Sequence, residues 1–146
     1  MTDASGTTAY SYDSLDRLVS KATPEGTLSY TYDAAGHVAS MSSSNANGVS
    51  VSYAYDAAGR LSTVTDNRLP AGQNSTAYTY DANSNVATAT YPNGLQSVFA
   101  YDSLDRLTAL ATPVSGYAYQ LNTLGLRTGS TELTGRTTGR WPGQKP

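Results

Sequence analysis

The chain has 146 residues, a formal net charge of −2 and no cysteine. That length suits one ordinary domain, and the charge excludes a broadly basic nucleic-acid binder. Without cysteine there is neither a disulfide framework nor thiolate chemistry. One Phe, one Trp and two Met are set against twelve Tyr, so the aromatic content is almost all tyrosine.

Residues 1–8 form a lead-in with no basic n-region and no apolar h-region, so no secretory signal is read there. No later run approaches the roughly 20 apolar residues needed to cross a bilayer. The first repeating element follows. Tyr10-x-Tyr12 is a period-two aromatic pair that predicts a strand with both rings on one face. Asp13 to Asp16 then predicts a turn, and Arg17-Leu18 starts a returning strand. The same order recurs as Tyr30-x-Tyr32-Asp33 with Gly36 and His37-Val38, and as Tyr53-x-Tyr55-Asp56 with Gly59 and Arg60-Leu61. Tyr78-x-Tyr80-Asp81 leads to Ser84 and Asn85-Val86, and Phe99-x-Tyr101-Asp102 leads to Asp105 and Arg106-Leu107. A weaker sixth copy reads Tyr119-x-Leu121-Asn122 with Gly125. The acidic position steps through 13, 33, 56, 81, 102 and 122, which is a repeat of 20 to 25 residues.

At the first turn position Asp can accept backbone amides, and at the fourth Gly can take a left-handed conformation that closes a hairpin with a bulge. Asp16 and Asp105 are sensible substitutes at the fourth position. Ser84 fits less well, and Asn83 or Asn85 is expected to absorb the strain. Three residues after each apolar starter stand Lys21, Met41, Val64, Ala89 and Leu110, a spacing that breaks alternation and predicts a bulge or strong twist. Looser turns rich in Pro and Gly join the copies: TPEG at 23–26, NANG at 45–48, LPAG at 69–72, YPNG at 91–94 and TPVSG at 112–116. The expected fold is all-β, a series of antiparallel hairpins forming a curved, open sheet. One such hairpin buries too little alone, so neighbours must share the Tyr layer.

The pattern Y-x-Y-D-x-x-G-R-L at this period resembles the YD repeat of RHS-repeat proteins, a superfamily that includes Tc-toxin C components and teneurins. The resemblance covers residues 9–128 as about six hairpins. It implies an arc of a hollow β-shell that encloses or presents a linked polypeptide, often a toxin in bacterial members. The implied partners are further RHS repeats or a toxin domain of a longer parent. Residues 129–146 read as a Gly/Thr/Arg-rich tail, either an incomplete repeat or disordered, and a truncated copy of a longer gene is the expectation.

Candidate chemistry is sparse. A catalytic carboxylate sits once in a singular environment, whereas Asp13, Asp33, Asp56, Asp81 and Asp102 recur at one turn position. His37 is the only histidine, and it takes the slot of Arg17, Arg60 and Arg106, where a solvent-facing role is expected. No G-x-S-x-G, G-x-G-x-x-G or phosphate loop occurs. No catalytic, metal or cofactor residue is therefore assigned, and no nucleic-acid partner is expected. From Leu126 on, Arg127, Arg136, Arg140 and Lys145 against Glu132 give +3, too dilute to argue for nucleic acid. The alternative function is a carbohydrate-binding module whose Tyr rows stack on sugars. Open sheet edges predict self-association.

Overall fold

The computed structural model describes residues 2–3 and 6–133. All regular structure in them is β. A two-stranded lead-in pairs β1 (Thr2–Asp3) with β2 (Gly6–Thr7). The chain divides into two compact units, Met1–Ser75 and Thr76–Pro146. In the first, β3 (Ala9–Tyr12), β4 (Leu18–Thr23), β5 (Gly26–Tyr32), β6 (Val38–Ser43), β7 (Ser50–Tyr55) and β8 (Leu61–Asp66) pair antiparallel in sequence order. In the second, β9 (Ser75–Tyr80), β10 (Val86–Thr90), β11 (Gln96–Tyr101), β12 (Leu107–Ala111), β13 (Gly116–Leu121) and β14 (Arg127–Glu132) do the same. β3 pairs only with β4, and β14 only with β13, so the ladders stay open.

The sixth hairpin runs on through β14 to Glu132, past residue 128. The remainder of the expected tail, residues 134–146, lies outside the described residues.

Each hairpin closes on the same turn. The Asp13 N–H donates to the Arg17 carbonyl at 2.9 Å, and the Asp16 N–H to the Asp13 carbonyl at 3.1 Å. This is a type I turn followed by one left-handed residue. That residue is Gly36, Gly59 or Gly125 in three copies, and Asp16 (φ 57°), Ser84 (φ 70°) or Asp105 (φ 58°) in the others. Ser84 therefore bears the strain itself. Asn83 and Asn85 do not take it, because only the fourth residue of this turn needs positive φ.

The anticipated irregularity is a bulge one residue past each apolar starter. Tyr12 faces Leu18 and Ser11 faces Ser20, so Val19 is the extra residue. Equivalent shifts follow Val38, Leu61, Val86, Leu107 and Arg127. Each bulge restores Lys21, Met41, Val64, Ala89 or Leu110 to the face carrying the paired tyrosines.

The joining turns are less uniform than their Pro and Gly content suggests. YPNG is not loose: the Tyr91 N–H donates to the Leu95 carbonyl and the Gly94 N–H to the Tyr91 carbonyl, which is the Tyr-Asp turn again. In NANG the left-handed residue is Asn47 (φ 61°) and not Gly48. Gly48 is needed for space, since a Cβ there would lie 2.6 Å from the Ser43 side chain.

Within each unit the strands contact chiefly their ladder neighbours, so each is a single layer. Among the described residues only Ala89, Ser97, Ala111 and Gly116 are buried. Tyr30, Tyr32, Tyr53, Tyr55, Tyr78, Tyr80 and Tyr101 are half-buried by their neighbours, while Tyr10 and Tyr12 on β3 are exposed. The opposite face of the first unit carries two cross-strand rows of hydroxyls: Ser11, Ser20, Ser29, Ser42 and Ser50, and Thr31, Ser40, Ser52 and Thr65. Hydroxyl pairs within the rows bond directly, Ser11 with Ser20 at 2.8 Å and Thr31 with Ser40 at 2.6 Å. Such pairs support a solvent-facing sheet surface.

Candidate functional site

The Tyr-Asp turn recurs from copy to copy, and its parts interlock. The Asp13 carboxylate accepts the N–H of Leu15 (2.9 Å) and of Arg17 (3.0 Å) on one oxygen, and Arg17 Nε (2.8 Å) on the other. Asp56 does the same with Ala58 and Arg60, and Asp102 with Leu104 and Arg106. In the second copy His37 Nδ1 lies 3.0 Å from Asp33. In the fourth, Asn85 Nδ2 donates to Asp81 at 3.1 Å. Asn122 keeps the two backbone contacts, to Leu124 and Leu126, but Leu126 offers it no cation.

These bonds favour the charged carboxylate. The Arg17 backbone N–H is the largest influence lowering the Asp13 pKa. For Asp33, Asp56 and Asp102 the side chains of His37, Arg60 and Arg106 lead. Asp66, in a joining turn, is lowered to about 2, chiefly by the Arg68 side chain.

The clamped cation also reaches the next copy. The Arg17 guanidinium lies 4.4 Å from the centre of the Tyr32 ring. His37 stacks on Tyr55 with centroids 4.5 Å apart and an interplanar angle of 27°. His37 is thus not simply a solvent-facing stand-in for Arg, because the imidazole packs as the guanidinium does. The second tyrosine of a copy then donates its hydroxyl backwards. Tyr32 bonds the Leu18 carbonyl (2.8 Å), Tyr55 that of Val38 (2.9 Å) and Tyr101 that of Val86 (3.1 Å).

The first aromatic of each pair sits opposite an aliphatic stem or small side chain: Tyr10 faces Lys21, Tyr30 faces Met41, Tyr53 faces Val64, Tyr78 faces Ala89 and Phe99 faces Leu110. Tyr119 faces Ser130, and Arg127 lies 5.4 Å from its ring centre. Sequence reasoning placed the Tyr, Asp and Arg positions but missed the link between copies. Its signal was the four-residue spacing from Asp to Arg, which lets one side chain touch both its own turn and the next ring. Among the described residues no group of three His, Cys, Asp or Glu side chains could hold a metal ion, and no helix is long and apolar enough to cross a membrane.

This fold and this repeated lock define a Tyr-Asp hairpin repeat array. The teneurin YD-shell family model matches residues 1–127, and the chain belongs to that family. No curated protein sequence matches it. Among solved structures it is similar to the crystal structure of TcdB2-TccC3, with TM-score 0.75 and 18% identity, over 90% of this chain and 8% of that one. It is also similar to TcdB2-TccC3-Cdc42, with TM-score 0.69 and 14% identity, over 84% of this chain and 7% of that one. The Photorhabdus luminescens Tc holotoxin pore gives the same four values. The chain thus spans less than a tenth of these structures' own length. Together they identify an RHS-type, YD-repeat segment of a structural shell fold.

Proposed function

We propose that the chain is a wall segment of a shell that encloses or presents a linked polypeptide, a toxin by analogy with the Tc assemblies, and that it performs no catalysis of its own. The observation that carries this reading is the lock between copies, in which Arg17 and His37 pack on the next copy's ring and tyrosine hydroxyls bond back to the preceding copy. Each repeated carboxylate is spent on its own turn. A wall needs joints repeated from copy to copy, while an active site needs a singular one.

The carbohydrate reading needs free ring faces. Tyr10 and Tyr12 are exposed, but Tyr32 and Tyr55 each have a face taken by Arg17 or His37, so the row of rings is interrupted, which argues against it. Protease protection tests the shell reading. The chain is expressed together with its flanking coding sequence and digested with a nonspecific protease. The linked polypeptide should outlast the same polypeptide made alone; equal digestion rates would sink the proposal.

A further inference from the structure

The sixth copy departs from the pattern beyond Asn122. Leu121 stands where the other copies have Tyr, and Leu126-Arg127 reverses the Arg-Leu order. A hollow of about 340 Å³ opens there, lined by Arg106, Leu107, Tyr119, Leu121, Gly125 and Arg127. By register it is the place of an absent tyrosine. Leu107 corresponds to Leu18, Val38 and Val86, whose carbonyls receive the hydroxyls of Tyr32, Tyr55 and Tyr101. Arg106 corresponds to Arg17, whose guanidinium covers the Tyr32 ring.

Arg106 remains in position without that ring. Asp102 holds its Nε at 2.7 Å, and its Nη1 donates to the Asn122 carbonyl at 3.1 Å. Leu121 supplies methyl groups but neither a π face nor a hydroxyl donor. The hollow is lined by the Arg106 guanidinium held in place and by Leu107 and Leu121, and by register the Leu107 carbonyl corresponds to the acceptors of the other copies. Arg127, also on its lining, lies over the Tyr119 ring. A ring suits the Arg106 guanidinium, and a para hydroxyl suits the carbonyl.

We propose that this hollow is a binding site for a tyrosyl side chain presented by a separate polypeptide segment, which completes the sixth copy from outside. The proposal is independent of what the shell surrounds.

The test titrates the full chain with N-acetyl-tyrosinamide, followed by NMR at the Leu121 methyls and the Leu107 and Tyr119 amides. Saturable shifts confined to these residues are expected. N-acetyl-phenylalaninamide, lacking the hydroxyl, should bind roughly 3- to 10-fold more weakly, the worth of one net hydrogen bond. Leu121→Tyr should fill the hollow with its own ring, raise the unfolding midpoint and abolish the saturable shifts. No saturable shift in the native chain overturns the site, as does unchanged binding in Leu121→Tyr. Equal binding of the two amides overturns the tyrosyl assignment, and that comparison needs no variant to fold.

Discussion

Asp13, Asp56 and Asp102 each tie two backbone N–H groups and one guanidinium, so the turn and its cation form one rigid piece. That rigidity matters at Arg17, which also meets the Tyr32 ring, because a preset guanidinium loses less entropy on stacking. The tyrosine hydroxyl is the other half of the joint. Tyr32→Phe keeps the ring under Arg17 and deletes only the bond to the Leu18 carbonyl. It should cost about 1 kcal/mol of unfolding free energy. Urea denaturation would check this, and an unchanged midpoint would show the hydroxyl to be ornamental.

The hairpin is the smallest element that repeats, and it is not self-sufficient. Its strands lie in one layer, with only four buried residues among those described. Stability must come from side-by-side addition, and each ladder ends on a strand with an unpaired edge. β3 is such an edge, and it exposes Tyr10 at 45% and Tyr12 at 59%. Even a short strand (β3 has four residues) that leaves its edge unpaired and its tyrosines exposed can recruit another strand, and a lysine on it opposes that. The native chain should therefore associate as its concentration rises, and Tyr10→Lys should reduce the association. Light scattering across a dilution series would read both. A concentration-independent monomer would remove the edge argument.

Across the whole molecule the same carboxylate chemistry is summed. Asp13, Asp33, Asp56, Asp66 and Asp102 are all held below their ordinary pKa in the folded chain. A depressed folded pKa contributes stability above the unfolded value, near 3.9, and that contribution is lost as pH falls through the folded value. The contribution of these carboxylates should be constant above about pH 5 and decline from about pH 4 towards 2, where Asp66 titrates. Thermal unfolding as a function of pH would measure this. Asp66→Asn should flatten the most acidic part of the curve, and an unaltered acid limb would refute its role.

The sequence by itself determined the repeat, its period and the hairpin with its left-handed fourth residue, and it flagged an irregularity after each apolar starter that the register resolves as a bulge. These are local matters, dictated by alternation and by the few residues that tolerate positive φ. His37 shows what local reasoning lacked: its slot was legible, but its stacking on Tyr55 was not, because the partner lies 18 residues away and meets it only across strands. Ser84 shows the same from the other side. Propensity pointed to its Asn neighbours, whereas the hydrogen bond from its N–H to the Asp81 carbonyl pins the strain on Ser84. Only the tertiary structure decided that Arg17 and Tyr32 are one joint, and that Leu121 leaves a hollow where that joint is missing. The physical reason is distance along the chain. Turn chemistry acts within about four residues, while the joint brings together side chains from successive copies once the strands are in register.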